Sequence, residues 1–193
     1  MLQQRGEASA LKQVKGAMVS PVGKRLSYRL SERLNHAIYS FCVDHRVAPF
    51  AVYYMALAIY LKRTGGEDRF TIGVPVFNRT NMVFKQSGGM FVSTLPFVGE
   101  IDENWNFEEF TAHMMESWLE MLRHQRFPYT DISRLAMEEQ AETGPLFHVA
   151  LSYQDSKMLD NHDTPVSFEG KGHYSGFQSG QLCIHLSNWE DVR

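Results

Sequence analysis

The 193-residue sequence has only two cysteines, no cluster of basic residues and no apolar run long enough to cross a membrane. Cys42 and Cys183 match no metal-site spacing, and their apolar neighbours favour buried free thiols in a reducing compartment. The 19 basic and 22 acidic residues are scattered, which gives no support for nucleic-acid binding. The longest apolar stretch, 47–61, is shorter than the roughly 20 residues of a membrane span, and no apolar signal segment begins the chain. We therefore expect a cytoplasmic protein without a metal, and with neither nucleic acid nor membrane as a partner.

The signatures of an independent hydrolase are also missing. The sequence has no Ser-His-Asp order and no G-x-S-x-G elbow, and its eight histidines all stand singly. The acidic pairs at 108–109 and 138–139 are typical of solvated helix faces. We predict no catalytic residue within this chain.

The first half of the sequence predicts one strand followed by two helices. Residues 1–24 are polar, contain Gly and Pro, and indicate a lead-in or linker. The alternation in 26–30 predicts a short half-buried strand. Ser31 is the expected N-cap of a helix, which would pack through a stripe of Leu34, Ile38, Phe41 and Cys42. Pro49 begins a second helix that ends at Gly65-Gly66. This helix is apolar nearly all round, so we expect it at the centre of the core.

The second half predicts a mixed sheet with further helices. The run 69–76 is a strand in which Pro75 indicates an edge position or a bulge. A polar loop at 77–89 leads to a strand at 90–97. Asn106 and Glu109 form a capping-box pattern before a helix to about Arg123, and a shorter helix follows over 131–140. Further strands are expected at 146–153, 165–175 and 181–187. The order β-α-α-β-β-α-α-β-β-β predicts an α/β sandwich with a mixed β-sheet.

Four segments, in order, resemble the condensation domain of non-ribosomal peptide synthetases. They are GGED with IGVPVFNRT (65–80), SGGMFVSTLP (87–96), HQRFPY (124–129) and GPLFHV (144–149). The positions that carry the resemblance are Gly73, Pro75, Phe91, Thr94, His124, Gln125, Pro128, Pro145 and Phe147. The resemblance implies that 25–193 is one chloramphenicol acetyltransferase-like lobe, the C-terminal lobe of such a domain, incomplete at its C-terminal end.

In that family, the domain joins carrier-protein-bound aminoacyl or peptidyl thioesters by an amide bond. The implied partners are the N-terminal lobe of the same domain, peptidyl carrier proteins and a neighbouring adenylation domain. Phosphopantetheine would be carried by the carrier proteins, and the chain itself would bind no cofactor. The family's general-base motif, His-His-x-x-x-Asp-Gly, is absent here. Catalysis is therefore expected of the parent protein and not of this chain alone.

The resemblance makes Asn78, Arg79 and Ser93 candidates for the wall of the substrate tunnel. Ser93 stands where the family has Asn, and Arg126 stands where it has Asp. Plainer interpretations are a structural salt bridge for Arg79, an ordinary strand hydroxyl for Ser93 and a helix cap for His124. Two other functions stay open, a non-catalytic docking or scaffold lobe for carrier proteins and a lobe of a CoA-dependent acyltransferase.

Overall fold

The computed structural model describes residues 21–66, 68–140, 144–154, 173–178 and 180–187. Within them the chain forms five helices and four strands. The helices are α1 (Glu32–His45), α2 (Pro49–Gly65), α3 (Met82–Gln86), α4 (Phe107–Arg123) and α5 (Tyr129–Gln140). The strands are β1 (Arg69–Val76), β2 (Ser93–Glu100), β3 (Val149–Gln154) and β4 (Leu182–Ser187).

The strands form one mixed sheet in the order β2-β1-β3-β4. β1 is antiparallel to β2, from the pair Arg69–Glu100 to the pair Val76–Ser93. β1 is parallel to β3, and β3 is parallel to β4. The predicted α/β fold with a mixed sheet is confirmed.

The prediction of an edge or a bulge at Pro75 is wrong. β1 lies inside the sheet, and its register with β2 is unbroken. Its pairing with β3 covers Ile72 and Gly73, so Pro75 lies beyond the stretch that pairs with β3. A missing N–H at this position costs no bond to that strand.

Helix α2 is the centre of the core, as its apolar sequence predicts. Pro49 lies in its first turn, and Gly66 ends it in a left-handed conformation with φ of 76°. Tyr54, Leu57 and Leu61 are all buried. The ring of Tyr54 stacks on Phe97 of β2, with centroids 4.4 Å apart. The burial is one-sided, because Ile59 and Tyr60 on the other face of α2 are exposed.

Both predicted helix starts are confirmed by their capping bonds. The Ser31 side chain accepts a hydrogen bond from the Leu34 amide at 3.3 Å. Asn106 and Glu109 form a complete capping box at the start of α4, with reciprocal bonds of 2.9 and 3.0 Å. Of the predicted inner stripe of α1, Cys42 is buried but Leu34 is exposed.

Four local predictions differ from the structure, and a fifth lies mostly outside the described residues. The strand expected at 26–30 is wrong, because these residues pair with no strand in the described part of the chain and Leu26 and Tyr28 are exposed. The loop 77–89 contains helix α3, and the next strand begins at residue 93 instead of 90. Most of the strand expected at 165–175 lies outside the described residues, and 173–175 are not in a strand.

The thiols are free as predicted, but Cys183 is only half-buried. Burial raises the pKa of both thiols.

Candidate functional site

The three predicted tunnel residues lie at the sheet edge where β1 ends and β2 begins. This edge is formed by strand ends and not by an outer strand. Because β1 and β2 are antiparallel, the last residue of β1, Val76, pairs with the first residue of β2, Ser93. The chain leaves β1 into 77–92 and returns to the sheet at the same edge. Asn78 and Arg79 are therefore held close to the strand end that carries Ser93. We call residues 77–92 the cap segment.

Arg79 holds the cap segment together through backbone carbonyls. Its Nη1 donates to the carbonyl oxygens of Phe84 and of Ser87, the latter at 2.6 Å, and its Nη2 donates to that of Gly89 at 2.9 Å. The guanidinium carbon also lies 4.3 Å from the ring centroid of Phe91. Arg79 therefore has a structural role, but its partners are backbone carbonyls and not the acidic partner of the expected salt bridge. No carboxylate is paired with it in the described part of the chain.

Asn78 has a strained backbone and an unsatisfied side chain. Its φ of 52° lies in the left-handed region, which Asn tolerates better than most residues. Its Oδ1 is buried and has no hydrogen-bond partner within the residues described. Such an orphaned acceptor costs about 1–3 kcal/mol unless a donor reaches it. Asn78 therefore carries one acceptor that the described residues do not satisfy.

Helix α3 gives the cap segment its shape. The side chain of Asn81 accepts from the Phe84 amide at 2.9 Å and so caps the N-terminus of α3. The segment is not the purely polar loop that its sequence suggests, because it exposes Phe77, Met82, Val83 and Met90. Phe84 also stacks under Arg126 from the loop after α4, with 5.5 Å from the guanidinium carbon to the ring centroid. This contact joins helix α3 to the third resembling segment, and no sequence pattern pointed to it.

Gly73, Phe147 and Tyr129 pack together from three of the resembling segments. A Cβ at Gly73 would lie 2.2 Å from a ring carbon of Phe147. The Phe147 ring meets Tyr129 edge to face at 5.8 Å, and the Leu146 amide donates to the Tyr129 hydroxyl at 3.3 Å. These motif positions support the sheet and do not line its edge.

The remaining motif positions have structural surroundings. His124 ends α4 as its C-cap and lies 3.3 Å from a carboxylate oxygen of Glu120. Gln125 donates to the Leu122 carbonyl at 2.9 Å, and the Pro128 carbonyl accepts from two amides in the first turn of α5. Thr94 pairs with Pro75, and Pro145 is exposed before the buried Leu146.

A concave surface lies on the half of the sheet that contains β3 and β4. It is an open apolar groove of about 500 Å³ between α2 and the outer strands β3 and β4. Its lining consists of Tyr53, Ala56, Leu57, Tyr60, Leu151, Leu182, Ile184 and Leu186. Among the described residues, no charged side chain that could carry acyl-transfer chemistry lines the groove. In the described residues no group of His, Cys, Asp and Glu could hold a metal ion, and no helix is long and apolar enough to span a membrane.

Comparison with known proteins agrees with this architecture. The family model of the condensation domain matches residues 4–180, a range that begins within the polar segment 1–24. The chain is 33% identical over 185 residues to surfactin synthase subunit 1 of Bacillus subtilis (strain 168), a match that covers 95% of this chain. It is 28% identical over 149 residues to the phosphinothricin tripeptide synthetase PhsC of Streptomyces viridochromogenes, covering 77% of the chain. The chain spans only 5% and 14% of the lengths of these two relatives.

Solved structures show the same fold. The condensation domain from Monacolin K polyketide synthase MokA is 25% identical, with a TM-score of 0.57 over 68% of this chain and 31% of that one. A four-domain nonribosomal peptide synthetase bound to AMP and glycine is 19% identical, with a TM-score of 0.62 over 69% of this chain and 10% of that one. The chloramphenicol acetyltransferase-like α/β fold expected from the four sequence segments is therefore confirmed.

Proposed function

Since the chain belongs to the condensation-domain family, we propose that it is the C-terminal lobe of a domain that joins two carrier-bound thioesters. The amine nitrogen of the acceptor aminoacyl group attacks the donor thioester carbonyl carbon. A C–N bond forms, the C–S bond breaks, and the thiol of the donor carrier's phosphopantetheine arm leaves. The proton from the amine passes to a general base and from the base to the departing thiolate, which leaves as the thiol. The chain has no adjacent pair of histidines, so we assign that base to the N-terminal lobe of the same domain.

The proposal rests on one observation. Two of the segments that resemble the family, 65–80 and 87–96, meet at the same edge of the sheet. They place an unsatisfied acceptor on Asn78, a half-buried hydroxyl on Ser93 and an ordered cap segment beside one another. Acyl transfer needs polar groups in fixed positions around the reacting carbonyl and amine. We assign this edge to the tunnel wall, with the cap segment facing the N-terminal lobe.

The partners follow from the same proposal. Peptidyl carrier proteins bring the thioesters on phosphopantetheine arms, and a neighbouring adenylation domain loads the acceptor. The reaction belongs in the cytoplasm, where the free thiols of Cys42 and Cys183 would stay reduced.

Product formation tests the proposal. The synthetase that contains this chain is supplied with donor-loaded and acceptor-loaded carrier proteins, and dipeptidyl thioester is followed by mass spectrometry. We expect product from the complete synthetase and none above the no-enzyme rate from the isolated 193-residue chain, with an unloaded acceptor carrier as the control. A complete synthetase that adenylates and loads both carriers but forms no dipeptidyl thioester contradicts the proposal. Product from the isolated chain contradicts the assignment of the base to the other lobe.

A substitution at Asn78 tests the tunnel wall itself. We propose that its buried Oδ1 accepts a hydrogen bond from the acceptor substrate. Asn78→Gly removes this acceptor while permitting the left-handed backbone. We expect KM for the acceptor-loaded carrier to rise about tenfold, the equivalent of one hydrogen bond of roughly 1.4 kcal/mol, with Tm unchanged or slightly higher. An unchanged KM contradicts the role of Asn78, even if the synthetase still makes product.

A further inference from the structure

Arg79 is the one side chain that reaches four separate points of the cap segment among the residues described. It donates to the carbonyls of Phe84, Ser87 and Gly89 and lies over the ring of Phe91. These contacts are made across five to twelve residues of chain and span most of the segment. A guanidinium can do this because it is planar, carries five N–H donors in a fixed fork and stacks on aromatic rings.

Among the described residues, Arg79 makes more of the contacts that keep the cap segment folded than any other side chain. Helix α3 has five residues and none of them is buried. A helix this short does not persist in water without tertiary contacts. Its C-terminal carbonyls also carry partial negative charge, which the guanidinium neutralises. Apart from Arg79, the contacts that order the segment are the Asn81 cap, the backbone turns at 85 and 87, the Ser87 hydroxyl bond to the Val83 carbonyl, and the Phe84–Phe91 and Arg126–Phe84 ring contacts.

The segment connects the two strand ends of the proposed tunnel wall. It leaves β1 beside Asn78 and enters β2 at Ser93, so its fold sets how these two positions approach the substrates. It also carries the exposed side chains of Phe77, Met82 and Met90. A loop without its internal bonds would offer neither a fixed wall nor a fixed apolar surface.

We propose that Arg79 is a positioning residue, which makes no contact with substrate and orders the cap segment as one wall of the condensation site. This role rests on the proposed function, but the ordering of the segment does not. In this arrangement the positive charge alone is insufficient, because the bonds require the fork and the ring contact requires the flat guanidinium. A lysine offers a compact ammonium on a flexible stem and meets neither requirement.

Hydrogen exchange on the synthetase that contains this chain, read by mass spectrometry, tests the ordering step without any reaction. We compare wild type with Arg79→Ala, Arg79→Lys and Lys85→Ala, which removes a charge from the same segment through an exposed side chain. In both Arg79 variants, the amide hydrogens of Phe84, Lys85 and Ser87 should exchange faster by about tenfold or more. Opening the segment in a variant breaks at least one hydrogen bond fewer than in wild type, so the open state is more populated. Lys85→Ala should exchange as wild type does. Unchanged exchange in Arg79→Ala overturns the proposal.

Kinetics of the complete synthetase test the positioning step. Both Arg79 variants should lower kcat for dipeptidyl thioester formation by about tenfold to a hundredfold, the cost of a reactant held out of place. The Tm of the synthetase and the loading of its carriers should stay as in wild type, and so should the kcat of Lys85→Ala. Full activity in Arg79→Lys contradicts the requirement for the fork, and full activity in Arg79→Ala with fast exchange contradicts positioning. A wild-type synthetase without condensation activity sinks the proposed function but leaves the exchange result to decide whether Arg79 orders the segment.

Discussion

Replacing Gly73 by alanine would put a methyl carbon inside the packing radius of the Phe147 ring. Gly73 is buried in β1, and an added Cβ would lie 2.2, 2.5 and 2.6 Å from three ring carbons. The ring has little room to give way, because Tyr129 lies against it at 5.8 Å and Leu146 beside it is buried. Overpacking of this kind costs about 1–3 kcal/mol in the free energy of unfolding. At about 2–4 °C per kcal/mol for a chain of this size, Tm should fall by roughly 2–12 °C.

The assay is urea unfolding of the isolated chain, with Gly88→Ala as the matched control. Gly88 has no atom within 4 Å of the position of an added Cβ and no positive φ. Its substitution should leave stability unchanged or raise it by up to about 1 kcal/mol, through a less flexible unfolded chain. The comparison therefore separates the loss of glycine's flexibility from the clash with Phe147.

A double-mutant cycle identifies the clash as the cause. Phe147→Leu shortens the side chain that the new methyl group meets. The variant Gly73→Ala with Phe147→Leu should be more stable than the sum of the two single changes by about 0.5–3 kcal/mol. Additive effects, or a Gly73→Ala variant as stable as Gly88→Ala, would show that the added methyl group does not clash with the Phe147 ring.

Three other changes test separate parts of the fold. Asn106→Ala removes the N-cap side chain of α4 and should cost about 0.5–2 kcal/mol in urea unfolding, whereas an unchanged midpoint means that the capping box is not needed. Leu57→Ala should cost about 2–5 kcal/mol and fall at the low end, because the leucine borders the open groove; a loss under about 1 kcal/mol would place it outside the core. The pKa of Glu120 is lowered, first by its hydrogen bond from Arg123 and then by the charges of Arg123 and His124. Its contribution to stability is therefore present above the pKa of an unfolded glutamate and is lost as pH falls through the lower folded value. Glu120→Gln should therefore unfold more easily than wild type at pH 7 and equally easily at pH 2. The same loss of stability at both pH values would contradict this.

The starts of helices α1, α2 and α4 were predictable because their signals are local. A proline in the first turn of α2 and a capping box at α4 act within a few residues, and both helices begin as the sequence predicts. The short extended run at 26–30 also has the right alternation, but a strand needs a partner, and no partner strand pairs with it in the described residues. The prediction of an edge or a bulge at Pro75 failed for a related reason. Whether a proline is tolerated there depends on how far β3 extends along β1.

The sequence named candidate site residues through its resemblance to the family, but not the contacts that these residues make. Similarity to the family pointed to Asn78, Arg79 and Ser93, and the antiparallel pairing of β1 with β2 brings them to one edge. The partners of Arg79 are three carbonyls, which every residue type carries, so no sequence pattern could name them. Helix α3 was missed because its stability comes from those same contacts and not from its own five residues.

We expect the substrates of the condensation reaction to pass along the sheet edge formed by residues 77–93. Photocrosslinking locates them directly. An acceptor carrier protein bearing a diazirine-substituted aminoacyl group on its phosphopantetheine arm is irradiated with the synthetase that contains this chain, and labelled peptides are mapped by mass spectrometry. We predict labels within residues 77–93 that decrease when unlabelled loaded carrier is added. Labels confined to the apolar groove at α2 and β4, or labels in 77–93 that unlabelled loaded carrier does not reduce, would contradict the account.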